Sequence, residues 1–137
     1  MKIFISGPMR GIPYYGFPAF DAARAAFEAA GFDVVTPADL DRAVGFDAMD
    51  LPETTDWNAE AGLDVRAAMK RNIDALLECD ALVSLFGDRW SMGCGIERDI
   101  AERCNIQTFR QSVNETLPEL AQVVQKLWTD RARKGAA

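Results

Sequence analysis

Apolar positions along the chain fall into two patterns, short continuous runs and stripes spaced three or four residues apart. The continuous runs predict buried strands at residues 2–6, 33–36, 81–86 and 107–110. The spaced stripes predict helices at residues 18–30, 64–78, 96–104 and 117–128, with a further short helix at 37–44 left open. Because strands and helices alternate, we expect an α/β fold. It would be a small doubly wound domain of the flavodoxin or Rossmann type, with a mostly parallel sheet of about four or five strands.

Length and composition narrow the class of protein. The 137 residues, 49% of them hydrophobic, suffice to bury one core, so we expect residues 1–137 to form a single domain. No apolar run approaches the roughly 20 residues that span a bilayer, and too few residues precede the first strand for a secretory signal. We therefore expect a cytoplasmic protein with no membrane partner.

The residue types that are missing restrict the chemistry. The chain has no histidine, which excludes histidine nucleophile pairs, metal ligands and general bases. Its three cysteines form no CxxC pair, so we expect no disulfide framework, no metal site and no other cofactor. The net charge of -6 disfavours a nucleic-acid polymer as partner. Any catalysis must therefore depend on carboxylates.

A loop rich in glycine and proline, residues 7–13, follows the first predicted strand. In an open parallel sheet such a loop lies at the carboxyl ends of the strands, where ligands bind. The loop lacks the GK[ST] ending of a P-loop, so ATP or GTP hydrolysis by that motif is not indicated. Arg10 fits either a phosphate or carboxylate ligand or an ordinary surface ion pair.

A second glycine-rich stretch, residues 91–97, follows the predicted strand 81–86. Glycines on both sides of Cys94 allow the backbone to approach a ligand, and the free N–H groups of a helix's first turn attract anions. Glu97 is expected in that first turn, where the helix dipole favours its charged form. Its carboxylate either caps the helix or lies at the rim of a ligand crevice.

Other features have both a structural and a functional interpretation. Asn72 projects from the predicted inward stripe of helix 64–78, either as a hydrogen-bonded core amide or as a ligand contact. That stripe consists of Val65, Met69, Ile73 and Leu76. Trp57 either packs locally or stacks on a base, and it lies in an acidic, irregular segment, 38–63, of the kind that often forms a lid or an interface.

Two loops together carry a resemblance to a known superfamily. The first reads Gly7-Pro8-Met9-Arg10-Gly11, and the second reads Ser91-x-Gly93-x-Gly95-x-Glu97. In this order they resemble the nucleoside 2-deoxyribosyltransferase superfamily, including a branch of small, uncharacterised phage and bacterial proteins. The second loop is also similar to that of the 2'-deoxynucleoside 5'-monophosphate N-glycosidases. The resemblance extends from Lys2 to about Cys104.

The resemblance implies roles for individual residues. Glu97 matches the glutamate that attacks the anomeric carbon of the sugar, which implies a nucleophile that forms a glycosyl-enzyme intermediate. Ser91 matches a serine of the monophosphate hydrolases where the transferases have aspartate, and together with Arg10 it favours a 5'-phosphate on the substrate. The implied substrate-binding residues are Ser6, Gly7, Met9, Arg10, Gly11, Ser91 and Gly93.

Two positions depart from the family's pattern. Asn72 stands at a catalytic position where the family generally has an aspartate, and an amide cannot deliver a proton to the leaving base. Phe4 replaces a tyrosine of the hydrolases and so removes a hydroxyl. Asp64, Asp88 and Tyr15 are the candidates for a compensating group.

The expected activity is that of an N-glycosidase, which cleaves a 2'-deoxynucleoside 5'-monophosphate into free base and deoxyribose 5-phosphate. A nucleoside 2-deoxyribosyltransferase and a nucleotide-binding protein with weak or lost turnover are the alternatives. The implied partner is a small nucleotide or nucleoside. The superfamily also implies a homodimer or larger homo-oligomer, for which Trp90 and Trp128 are either interface or core residues.

Overall fold

The computed structural model describes residues 1–60 and 62–136, and a sheet of four parallel strands lies at its centre. The strands are β1 (Lys2–Ser6), β2 (Asp33–Val35), β3 (Ala81–Ser84) and β4 (Gln107–Arg110). The helices are α1 (Phe17–Ala29), α2 (Pro37–Ala43), α3 (Val65–Leu77), α4 (Met92–Arg103) and α5 (Leu117–Ala136). The predicted small doubly wound α/β fold is confirmed.

Apolar side chains fill a layer on each face of the sheet. Successive residues of a strand point to opposite faces, so β1 contributes to both layers. Ile3 and Ile5 pack with side chains of α1 and α5, including Phe20 and Val124. Phe4 packs on the other face with side chains of α3 and α4. The two layers make this a sheet covered by helices on both sides, which explains the nearly continuous apolar runs of its central strands.

The order of the strands, β2-β1-β3-β4, creates a switch point between β1 and β3. The chain first builds outward from β1 to β2 and then crosses to the opposite side of β1 to form β3. Ligands of open α/β sheets bind in the crevice outside the carboxyl ends of the strands at such a point. Ser6 and Ser84 are the paired residues at this edge of the two central strands.

Side-chain caps fix the starts of several helices. Thr36 and Asp39 form a reciprocal capping box at α2, the short helix whose formation the sequence did not decide. Asp64 caps α3 by accepting from the N–H of Ala67. At α5 the predicted box is present, because Thr116 and Glu119 exchange bonds of 3.0 and 3.2 Å between their backbone N–H groups and side chains.

Two predicted details of the helices are wrong. Helix α4 begins at Met92 rather than at Ile96, because the Ser91 hydroxyl accepts from the Cys94 N–H and caps the helix four residues earlier. The glycine-rich stretch is thus the first turn of the helix. In α3 only Leu76 of the predicted inward stripe is fully buried, whereas Val65 is 41% exposed and borders a shallow surface groove.

The described residues include no helix that is both long and apolar enough to cross a membrane.

Replacing Gly16 with alanine is expected to lower the free energy of unfolding by about 2–3 kcal/mol. Alanine disfavours the left-handed backbone conformation at this position, and its Cβ would overpack the site. Gly16 has a φ of 75°, and a Cβ there would lie 2.6 Å from the Pro8 carbonyl oxygen. Gly31 provides the control, since its φ is 92° and a Cβ would meet nothing within 4 Å. Urea unfolding should show a smaller loss for Gly31→Ala. Equal losses would contradict a clash at Gly16.

Candidate active site

A cavity of about 560 Å³ opens at the carboxyl edge of the sheet, next to the switch point between β1 and β3. The loop after β1 and the stretch after β3 form two of its walls. Helix α3 and residues 58–60 and 63 of the irregular acidic segment form much of the rest. Part of the acidic segment therefore borders the cavity, which is where a lid would lie.

The side chain of Glu97 lies in the wall of this cavity and is 5% exposed. The Ser6 hydroxyl donates to its Oε1 at 3.3 Å, while Oε2 is buried and has no hydrogen-bond partner among the described residues. Burial raises the pKa of Glu97 to about 7, and the bond from Ser6 acts in the opposite direction. Near neutral pH the carboxyl group is therefore present in both its charged and its neutral form.

The expectation that a helix dipole holds Glu97 charged is wrong. Because α4 begins at Met92, Glu97 lies in the second turn and points into the protein instead of toward the free N–H groups. Desolvation dominates, and it favours the neutral carboxyl. Glu97 is therefore not a helix cap, and its burial in a cavity wall leaves the crevice interpretation.

Two small side chains, Ser6 and Cys94, lie near Glu97: Ser6 donates to its carboxylate, and Cys94 is hydrogen-bonded to Ser6. Ser6 is fully buried at the end of β1, and Cys94 is 1% exposed in the first turn of α4. Burial raises the pKa of the Cys94 thiol, while hydrogen bonds with Ser6 and Ser91 act against that rise. The thiol thus remains protonated at neutral pH, which makes Cys94 a packing partner rather than a nucleophile.

The structure brings together most of the predicted site residues. The cavity wall contains Gly7, Met9, Arg10, Asn72, Ser91, Gly93 and Glu97. Ser6 does not line the cavity, and it contributes to the site through its hydrogen bond to Glu97. Gly11 lies outside the wall, where its N–H donates to the Trp57 carbonyl at 2.9 Å and a Cβ would approach the Asn58 side chain.

Two groups suited to an anion face the cavity. The first turn of α4 has free backbone N–H groups beside Ser91, and Arg10 projects from the loop after β1. Arg10 also forms an ion pair with Glu60 at 3.3 Å, with the side chains 64% and 58% exposed. An ion pair this exposed contributes little to stability, so Arg10 can exchange Glu60 for a ligand at small cost.

Asn72 faces the cavity, and its Oδ1 is buried with no partner in the described part of the chain. A core amide that satisfies its own hydrogen bonds does not fit this observation. Trp57, by contrast, packs on Tyr14 and Tyr15 at ring distances of 4.9 and 5.2 Å and is absent from the cavity wall. Local packing is thus the correct interpretation of Trp57.

The three candidates for a compensating group separate clearly. Asp64 is the cap of α3, and Asp88 is bound by Arg98 and Arg110 outside the cavity wall. Tyr15 does line the cavity, but its hydroxyl donates to the Ala59 carbonyl.

The other departure, Phe4, lies outside the cavity wall. Its ring is fully buried in the core between the sheet and helices α3 and α4, outside the set of residues that line the cavity. Phe4 itself therefore does not line the cavity.

Asp41 on α2 is a wall residue that the sequence analysis did not identify as functional. It is 1% exposed, with Oδ1 held by Arg71 at 3.3 Å and Oδ2 buried without a partner among the described residues. Burial raises its pKa, and Arg71 acts in the opposite direction. The sequence does indicate a helix after β2, at the edge of the sheet where ligands bind. It does not indicate that packing of this helix against α3 turns the Asp41 carboxylate into the cavity.

Residues 1–109 match the family described as a domain of unknown function, DUF4406. The chain belongs to this family. The matched region contains β1, β2, β3, all but the last residue of β4, and every residue of the cavity wall. The site therefore lies within the family's domain, whereas α5 lies outside it. No curated protein matches the chain. Within residues 1–60 and 62–136 no group of three or more acidic, cysteine or histidine side chains is arranged to hold a metal ion.

Proposed function

We propose that this DUF4406 protein is an N-glycosidase that cleaves 2'-deoxynucleoside 5'-monophosphates, with Glu97 as the nucleophile. The observation that carries the proposal is the environment of Glu97. One carboxylate oxygen is held by Ser6, and the other is buried, unpartnered and next to a cavity of about 560 Å³. A cavity of this volume is in the range of small-molecule sites.

The chemistry follows from the carboxylate. Ionised Glu97 attacks the anomeric carbon, the bond from that carbon to the base nitrogen breaks, and its electron pair leaves with the base, which takes up a proton. Water then attacks the same carbon and releases deoxyribose 5-phosphate, while Glu97 leaves as a carboxylate and the water proton passes to a base in the site. A pKa of about 7 keeps a substantial fraction of Glu97 ionised at neutral pH.

The 5'-phosphate is assigned to the end of the cavity formed by α4 and the loop after β1. The first-turn N–H groups of α4 and the Ser91 side chain supply donors, and Arg10 supplies a positive charge. Glu97 lies one turn further along the same helix. This spacing separates a phosphate at the helix start from a sugar carbon at the carboxylate.

The proposal is tested by incubating the protein with each of the four common deoxynucleoside 5'-monophosphates and with the corresponding deoxynucleosides. Chromatography should detect free base from at least one monophosphate, in amounts equal to the deoxyribose 5-phosphate formed. Base release without added acceptor base distinguishes hydrolysis from a transferase. Absence of free base from every compound would refute the proposal.

Removing the Arg10 side chain should lower selectivity for the phosphate. We expect Arg10→Ala to raise KM for a deoxynucleoside 5'-monophosphate about tenfold or more, the equivalent of one charge-assisted hydrogen bond, and to leave cleavage of the free deoxynucleoside nearly unchanged. Arg103→Ala is the matched control, because Arg103 lies exposed at the opposite end of α4. Steady-state kinetics on both substrates provide the measurement, and equal losses on both would contradict the phosphate assignment.

A nucleotide-binding protein with weak turnover is the second candidate. Asn72 favours it, since an amide stands in the cavity wall where catalysis of base departure calls for an acid. Such a protein would show an increase in Tm with a deoxynucleotide and no base release. Association into a homodimer or larger stays a prediction, and the exposure of Trp90 and Met92 at the cavity wall, 79% and 87%, is compatible with it.

A further inference from the structure

A base that leaves a deoxynucleotide needs a proton, and Asn72 cannot supply one. The proton must come from a group in the cavity wall that carries it in a water-poor position. The side chains there that can donate a proton and have not yet been assigned a role are Tyr15, Asp41 and Glu60. Their contacts separate them.

Glu60 and Tyr15 do not fit this role. Glu60 is 58% exposed and paired with Arg10 on the surface. The Tyr15 hydroxyl already donates its proton to the Ala59 carbonyl, and burial raises the pKa of the phenol further above its usual value. Neither group offers a free proton to a ligand inside the cavity.

Asp41 fits the role by its contacts. Its side chain is 2% exposed, and Arg71 holds Oδ1 at 3.3 Å, which fixes the orientation of the carboxyl group. Oδ2 is buried and unpartnered in the described part of the chain. A buried carboxyl oxygen without a partner is costly unless it carries a proton or meets a donor, and a ligand in the cavity that Asp41 lines would supply such a partner.

We propose that Asp41 is the catalytic acid that protonates the leaving base, in place of the acid missing at Asn72. This inference rests on the proposed N-glycosidase activity. In the first step the Asp41 proton moves from Oδ2 to an acceptor atom of the base as the bond from the anomeric carbon to the base nitrogen breaks. In the second step water attacks the anomeric carbon, its proton returns to Asp41, and Glu97 is released as a carboxylate.

The electrostatic surroundings of Asp41 are mixed. Arg71 on α3 favours its charged form, while burial opposes it more strongly. The other charged groups in the cavity wall are Glu97, Arg10 and Glu60. A bound nucleotide excludes the remaining water and adds a phosphate charge, and both effects favour the protonated carboxyl that an acid requires.

The test compares Asp41→Asn with the parent on two substrates. One is the deoxynucleotide that the parent cleaves fastest, and the other is 4-nitrophenyl 2-deoxyribose 5-phosphate, whose leaving group needs no proton. Loss of a general acid should lower kcat on the deoxynucleotide about 100-fold or more and change kcat on the nitrophenyl compound less than about threefold. Asp74→Asn, an exposed carboxylate on α3 paired with Lys70, is the control and should match the parent on both.

The pH dependence of the parent provides a measurement that needs no variant. On the deoxynucleotide kcat/KM should be bell-shaped, because Glu97 must be ionised and Asp41 protonated. With the nitrophenyl compound as substrate, kcat/KM should only rise with pH as Glu97 ionises, and the fall at higher pH should be absent.

The outcomes separate this inference from the proposed function. Equal losses of kcat on both substrates would mean that Asp41 only supports the fold, and unchanged kcat on both would mean that it has no role. Either result, or a bell-shaped profile for the nitrophenyl compound, would overturn the inference and leave the N-glycosidase in place. If the parent releases no base, the proposed function itself fails.

Discussion

Replacing Glu97 with glutamine should lower base release from a deoxynucleoside 5'-monophosphate by about 10³-fold or more, since removal of a covalent nucleophile typically has effects of this size. Glutamine has nearly the same shape and can still accept the Ser6 hydrogen bond, but its amide cannot form the glycosyl ester. We expect binding to persist, so that a deoxynucleotide still raises the Tm of the variant. Chromatography of free base and a thermal melt measure the two properties.

The control for this variant is Glu102→Gln. Glu102 lies on the same helix and is exposed, away from the cavity wall. It should keep the activity of the parent. A Glu97→Gln variant as active as the parent would remove Glu97 from the mechanism, whatever the other residues of the cavity do.

The same substitution should change the pH dependence of stability. The pKa of Glu97 is raised from 4.5 to about 7 in the folded protein. The neutral carboxyl is therefore favoured on folding, so its contribution to the free energy of unfolding is fully present below pH 4.5 and is lost as the pH rises through 7. At about 1.4 kcal/mol per pKa unit, the loss is on the order of 3 kcal/mol by pH 8.

Glu97→Gln removes this loss because glutamine does not ionise. Relative to the parent, the variant should gain about 3 kcal/mol of stability between pH 4 and pH 8, measured by urea unfolding at both values. Glu102→Gln should show no comparable gain, because its side chain is exposed. A difference between parent and Glu97→Gln that stays constant over this pH range would contradict the burial of a titrating carboxyl group at position 97.

The overall fold could be predicted from the sequence because local patterns determine most of it. The apolar runs at β1 and β3 and the spaced stripes of the helices mark a sheet covered on both faces. The start of α4 could not be predicted in the same way. Two glycines in its first turn disfavour a helix, and the prediction overlooked that the Ser91 cap offsets this preference.

The site was predictable where sequence neighbours form it. The loop after β1 and the stretch after β3 meet at the edge of the sheet because parallel neighbouring strands bring their carboxyl ends together. The charge state of Glu97 was not predictable, since it depends on burial and on a hydrogen bond from Ser6, far away in sequence. The same holds for Asp41, whose place in the cavity depends on packing of α2 against α3.

The central claim is that Glu97 forms a covalent bond to the sugar, and acid quenching during turnover tests it most directly. The parent protein would be mixed with its best deoxynucleotide, quenched within the first turnover, digested and analysed by mass spectrometry. We predict a deoxyribose 5-phosphate adduct on the peptide that contains Glu97, and none with Glu97→Gln. Two results would contradict the account. One is base release by the parent with the adduct on a residue other than Glu97, and the other is an adduct in the Glu97→Gln variant.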